Sequence, residues 1–213
     1  MVHLLITALG ETLLMVLASA LMATFFGALL GVTLHITRPG QMMAHPKLHS
    51  LLSTIVNIGR SVPFIILLVA IIPMTRFLVG TSIGTVAAIV PLSIGAIPFM
   101  ARLIEAALME IPTGLLEAAN SMGCHRLQII TKVLLPEALP GILNSITITM
   151  VTLVDYSAMA GAIGGGGLGD IGIRYGYQRF DLKIMLITIF ILVVLVQIIQ
   201  NTGHYFCKKF DRR

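Results

Sequence analysis

The chain has 213 residues, of which 57% are hydrophobic and 11% charged, with a formal net charge of +5. A soluble domain carries about a quarter charged residues, so this composition excludes a water-covered globular surface and fits a bilayer as solvent. Trp is absent and aromatics make up 6%, which leaves no base-stacking platform and sets aside a nucleic-acid reading of the positive charge.

The N-terminal stretch MVHLLITALGETLLM lacks the basic start of a cleaved leader, and its apolar run is longer than a leader's core, so it reads as a retained first span. About 20 largely apolar residues cross a bilayer as a helix. Five stretches meet that length: 12–36, 51–75, 77–101, 138–163 and 184–203. Arg60 and Asp155 are the charges inside them. The expectation is an all-α membrane protein of one domain, 1–213, with termini on opposite sides. Placing the C-terminus inside puts ten basic residues on the inner side: Arg38, Lys47, Arg60, Arg102, Arg126, Lys132, Lys208, Lys209, Arg212 and Arg213. Four remain outside, Arg76, Arg174, Arg179 and Lys183. Positive-inside asymmetry then predicts the N-terminus outside and the C-terminus cytoplasmic, its basic tail among anionic headgroups.

The second and third spans leave almost no connection around Met74 to Gly80, which predicts a tight hairpin. Pro63, Pro73, Pro91 and Pro98 lie in or near them, where proline tends to kink a helix. Gly27/Gly31 and Gly80/Gly84 have the GxxxG spacing that lets helix backbones approach.

The longest polar segment is 102–137, expected on the cytoplasmic side. Leu115, Ala118, Ala119 and Met122 recur on one helical face. Pro112 and Thr113 fit its start and Gly123 its stop. A second short helix follows with Ile129, Ile130, Val133 and Leu134 on its apolar side, ended by Pro136 and Pro140. Two readings of this element stay open on periodicity alone. It docks in a groove of another protein, or it lies flat on the inner leaflet.

Glu117-Ala118-Ala119, three residues, Gly123, nine residues, then Val133-Leu134-Leu135-Pro136 resembles the EAA loop of type I bacterial ABC importer permeases, with Val133 in the place of the pattern's Ile. Further stretches are similar to the methionine-importer permeases of that family: Arg38-Pro39-Gly40, Asn57 to Leu67, Ile111 to Leu115, Val133 to Gly141 and Tyr156-Ser157-Ala158-Met159. The resemblance implies a five-span permease in the bacterial inner membrane. It implies a homodimer, two ABC ATPase subunits that use ATP and Mg, and an extracytoplasmic methionine-binding lipoprotein. Glu117, Ala118, Ala119, Gly123, Arg126 and Pro136 would couple to the ATPase. Methionine, D- or L-, would pass between the two copies by alternating access. A permease for another small solute, or a channel without an ATPase, is the alternative.

No phosphate loop G-x-x-x-x-G-K-[ST] occurs, so ATP hydrolysis is expected elsewhere. Gly164 to Gly169 fits G-x-G-x-x-G but follows a span rather than a strand, so it reads as a flexible connector, which the resemblance implies faces the binding protein. Cys124, Cys207 and the scattered histidines have no metal-ligand spacing. No nucleophile, base and orienter stand together, and the chain is read as no enzyme with no cofactor of its own.

Asp155 costs about 2.5–3.5 kcal/mol at a helix centre. It stands where family members usually carry a small residue. It reads as a carboxylate at the outer water boundary, or as a polar lining of the path near the substrate ammonium. Arg60 reads as snorkelling to the inner interface, or as a partner of Glu117. Met159, with Tyr156 and Ser157, is expected along the pathway, Met159 as a gate; core packing is the alternative.

Overall fold

The computed structural model describes residues 2–211. Arg212 and Arg213, counted above in the basic tail, lie outside the described residues. Every regular element among the described residues is helical. The first helix, α1 (Val2–Thr37), runs unbroken for 36 residues, about 54 Å at 1.5 Å per residue. It begins ten residues before the expected span and takes Glu11 into the helix.

The second span departs most from expectation. It is divided into α2 (Pro46–Ser61) and α3 (Phe64–Ala70), bent by 98°. Val62 between them is extended (φ −81°, ψ 122°) because it precedes Pro63. A proline disfavours helical backbone in the residue before it and supplies no N–H of its own. A third piece, α4 (Ile72–Val79), occupies the expected hairpin and stops at Gly80 (φ 83°). The turn falls at 80–84 instead. Gly80 and Gly84 both have positive φ there, with no neighbour where a Cβ would stand. Their GxxxG spacing therefore marks a turn and not a helix seam. The third long helix, α5 (Thr85–Met109), starts and ends eight residues later than 77–101. Arg102 and Glu105, expected in the polar loop, lie on its last turns, and Glu105 is 3% exposed. Asp155 is thus not the one carboxylate carried by a spanning helix.

After α5 come α6 (Thr113–Ser121) and α7 (Arg126–Gln128), a π-helical turn Ile129–Leu134, and α8 (Leu135–Glu137). The next long helix is α9 (Leu139–Ala160). It leads through Gly161–Gly165 to α10 (Gly167–Ile171) and a wide turn Gly172–Tyr177. The last helix is α11 (Leu182–Phe210). Four elements are long and apolar enough to cross a bilayer, Val2–Thr37, Thr85–Met109, Leu139–Gly165 and Leu182–Phe210, and α2 with α3 makes a fifth as a bent pair.

The bundle is built on α1 against α5, its most extensive contact. Gly27 and Gly31 make that approach possible. A Cβ on Gly27 would stand 2.7 Å from Met100 Cβ, and one on Gly31 would stand 2.6 Å from the Ala101 carbonyl oxygen. Met15, Leu92, Met100, Ile104, Leu108 and Leu153 fill the fully buried centre between α1, α5 and α9. Several buried hydroxyls within the spans donate back to their own helix: Ser93 to the Ile89 carbonyl at 2.7 Å and Thr149 to the Ser145 carbonyl at 2.8 Å. A bilayer offers no water to accept from them.

The glycine-rich stretch is a packed turn into α10 rather than a flexible connector, with positive φ at Gly164, Gly166 and Gly167. The Gly167 N–H donates to a Glu11 carboxylate oxygen at 2.7 Å, and the Leu168 N–H donates to Thr12 Oγ1 at 2.9 Å. Gly169 lies against the Ala158 backbone with no room for a side chain. Its glycines serve close packing.

Candidate docking element and uncovered helix face

Two regions carry the residues singled out in the sequence. The first is the short-helix element. Pro112 (φ −58°, ψ 130°) precedes α6, and Gly123 (φ 77°) turns the chain out of it. The N–H of Cys124 donates to the Ala119 carbonyl and that of Gly123 to the Asn120 carbonyl, so the helix end is closed. His125 and Gln128 cap α7, with the His125 N–H donating to Gln128 Oε1 at 2.9 Å. Ile129 and Leu134 are fully buried, and Leu134 joins Leu108, Ile111 and Ala138 in the main core. Pro136 stands in the first turn of α8, directly before α9. The element is therefore fastened at both ends to the spanning bundle.

Its outer side is bare. Ala119 and Leu116 face the bundle, whereas Leu115, Ala118 and Met122 do not. Met122 is 82% exposed and Leu127 74%. The expected apolar stripe is split, with Ala119 turned inward and the rest outward. Glu117 and Arg126 border one cavity of about 380 Å³ with Gly40, Gln41 and Met42 from the turn after α1. A core-anchored helix that shows apolar side chains beside charges of both signs is suited to a groove on another protein.

The second region is the face of α9 that the rest of the chain leaves uncovered. Met159 is 43% exposed. Asp155, one turn before it, is exposed too. Asp155 borders a cavity of about 250 Å³ between α9 and α11 that Gln197 also lines. Tyr156 lies on the other flank, stacked on Phe64 with ring centroids 4.2 Å apart. It lines a cavity of about 240 Å³ that also holds Arg60. Arg60 and Glu117 thus border different cavities. Ser157 is buried, its hydroxyl donating to the Val154 carbonyl at 2.7 Å, so it does not share the face of Asp155 and Met159.

Sequence reasoning missed two polar clusters. Arg102 pairs with Glu105 at 2.6 Å and reaches across to α2, donating to Ser53 Oγ at 2.5 Å and Asn57 Oδ1 at 2.9 Å. The i, i+3 spacing of opposite charges was the available signal. The Glu11 and Thr12 clasp on Gly167 and Leu168 had none, because its halves are 156 residues apart.

A helical bundle with up to five bilayer-length elements, a core-anchored helix turned outward and polar groups on an uncovered spanning face is an integral membrane transport component. The sequence matches the model of binding-protein-dependent transport system inner membrane components over residues 23–209, and the chain belongs to that family. It is 60% identical over 210 residues to the probable D-methionine transport system permease protein MetI of Vibrio cholerae serotype O1, covering 99% of this chain and 93% of that protein. It is 58% identical over 161 residues to the D-methionine transport system permease protein MetI of Escherichia coli K12, covering 76% of this chain and 74% of that protein. Its structure superposes with a TM-score of 0.98 and 53% identity on a chain of the MetNI methionine ABC transporter solved in inward-facing conformations, covering 100% of this chain and 98% of that one. The chain is accordingly a multi-pass inner-membrane permease component of an ABC importer and not itself an enzyme. The all-α permease fold expected from the EAA resemblance is the fold found.

Proposed function

We propose that this chain is the permease subunit of an ATP-driven methionine importer. Two copies form the pathway and two separate ATPase subunits, using ATP and Mg, drive alternating access. An extracytoplasmic lipoprotein delivers the substrate. The N-terminus lies outside and α6 on the cytoplasmic side. The observation that carries the reading is α6 itself. Leu115, Met122 and Glu117 point away from the bundle while Ile111 and Leu134, on either side, sit in its core. Force applied to such a helix reaches α5 and α9 directly. The sequence relatives named for D-methionine and the methionine transporter of matching fold support the substrate. Met159, on the uncovered face of α9, is the proposed gate, met by its counterpart across the two-fold axis. Gly123 and Pro136 set the geometry of the coupling element, and Ala118, Glu117 and Arg126 form its contact surface.

The test is purification of the chain from native membranes with identification of its partners, followed by methionine uptake in proteoliposomes. Co-purification of an ATPase and ATP-dependent uptake are expected. A chain that purifies without an ATPase, or a complex whose uptake methionine does not compete, contradicts the reading.

A further inference from the structure

The pair Arg-Phe occurs twice on exposed surface, as Arg76-Phe77 on α4 and as Arg179-Phe180 between the wide turn and α11. Phe77 is 89% exposed and Phe180 88%, the highest values for a large hydrophobic side chain among the described residues. Both pairs belong to the same end of the bundle. The Gly84 N–H, at the close of the turn after α4, donates to the Gly164 carbonyl at 2.9 Å. Gly84, Gly164 and Tyr175 line one cavity of about 310 Å³. Tyr175 in turn carries Arg179, whose guanidinium carbon stands 4.7 Å from the ring centroid.

Phe180 is held outward by its backbone. Its φ of 57° is the one positive φ of a non-glycine residue among the described residues, a conformation that is costly for a bulky side chain. The turn around it enforces this. The Phe180 N–H donates to the Tyr177 carbonyl at 3.4 Å and the Asp181 N–H to the Tyr175 carbonyl at 3.3 Å. The Asp181 carboxylate then caps α11 by accepting the Ile184 N–H at 3.1 Å. From there Leu182, Leu186, Ile189, Phe190 and Val193 continue as an open apolar stripe along α11. Arg76, Arg179 and Lys183 are exposed and have no ion pair among the described residues.

We propose that the two Arg-Phe pairs anchor this end of the chain in the phospholipid interface. Phe77 and Phe180 enter the boundary between headgroups and acyl chains, and Arg76, Arg179 and Lys183 hold headgroup phosphates, with a preference for anionic lipid. An aromatic ring at the edge of a lipid-facing apolar stripe, with a cation beside it, matches that boundary on both counts. The phosphates complement three unpaired cations. Water would leave two phenylalanines bare and would give no return for the strained backbone at Phe180. This lipid contact goes beyond the importer reading and depends on neither the substrate nor the ATPase.

The chain contains no Trp, so Phe77→Trp and Phe180→Trp each introduce a single fluorophore. The test uses the full chain in vesicles of phosphatidylcholine and phosphatidylglycerol. The quenchers are acrylamide in the water and phospholipids brominated at a shallow or a deep acyl position. Both variants are expected to be quenched more by shallow than by deep bromines. Phe190→Trp, about 12 Å beyond Leu182 along α11, is the control and should show the reverse order. In the Phe180→Trp chain, brominated phosphatidylglycerol should outcompete brominated phosphatidylcholine at least about fivefold, the preference one basic residue gives at a charged surface. Arg179→Gln with Lys183→Gln should abolish that preference, and Arg179→Lys with Lys183→Arg should keep it. Quenching of both fluorophores by acrylamide alone, as for a face open to water or to a soluble partner, overturns the proposal. Quenching by neither, as for a face covered by a second copy, overturns it too. So does the absence of a phosphatidylglycerol preference, or one that survives loss of both charges. Bromine quenching of Phe190→Trp in those cases leaves the membrane-spanning reading standing; its absence overturns that reading together with the anchor.

Discussion

The Glu11 carboxylate accepts the backbone N–H of Gly167 at 2.7 Å, joining the first helix to the glycine-rich segment that follows α9. Thr12 repeats the grip on Leu168 at 2.9 Å. Both Thr12 and Leu168 are buried. Thr12→Val should therefore cost about 1–3 kcal/mol, because the Leu168 N–H keeps its burial and loses its acceptor. Glu11→Gln retains an acceptor and should cost less than Glu11→Ala. Thermal unfolding of the purified chain in detergent, with amide exchange at Gly167 and Leu168, checks this; unchanged exchange in Thr12→Val would refute it.

The Arg102–Glu105 pair should respond unequally to loss of its two ends. Glu105 is 3% exposed, whereas Arg102 keeps Ser53 and Asn57 as partners when Glu105 is removed. Arg102→Met leaves an uncompensated buried carboxylate and should destabilise by about 3–5 kcal/mol. Glu105→Gln should cost about 1–2 kcal/mol. Midpoints of unfolding in detergent give the ranking, and equal losses would show that the pair is solvated.

Gly31→Val should be among the most damaging substitutions in the first helix. Its added carbons meet the Ala101 carbonyl oxygen and Ile104 Cβ within 3 Å. Overpacking of this kind costs about 1–3 kcal/mol and shifts backbone. Gly10→Val, where no atom lies within 4 Å, is the control on the same helix. Yield and monodispersity of the two variants in detergent give the comparison; equal behaviour would place α1 away from α5.

Met122→Asp and Glu117→Lys should leave the chain folded, since both side chains are exposed. Each should weaken association with the ATPase subunit at least tenfold, about 1.4 kcal/mol or more, as for a side chain at the centre of an interface. Glu117→Lys should in addition let ATP hydrolysis proceed without uptake. Pull-down and coupled assays measure both, and full transport by either variant would remove α6 from the contact.

Much of the architecture was legible in the sequence. Residues 12–36, 138–163 and 184–203 could be read as helical from length and absence of charge, and the α6 boundaries from Pro112 and Gly123. The 98° corner at Val62 was not, because hydropathy records composition and is blind to direction; Pro63 was seen as a kink and proved a break. Periodicity placed Leu115, Ala118, Ala119 and Met122 on one face, yet could not say which side of that face the bundle would cover. Asp155 and Met159 fall on a common open stripe, whereas Ser157, two residues from each, faces inward. A motif quotes neighbours in sequence, and a helix sends neighbours in different directions.

The seam at Gly27 and Gly31 has a mechanical consequence. With backbone against Met100 and Ala101 at these distances, α1 cannot slip along α5 by even one residue without driving side chains into main chain. The two helices must travel as one strut. Any displacement between the sides of the membrane is then absorbed at joints that lack such interlock: the Val62–Pro63 elbow and the boundary where α9 meets whatever covers it.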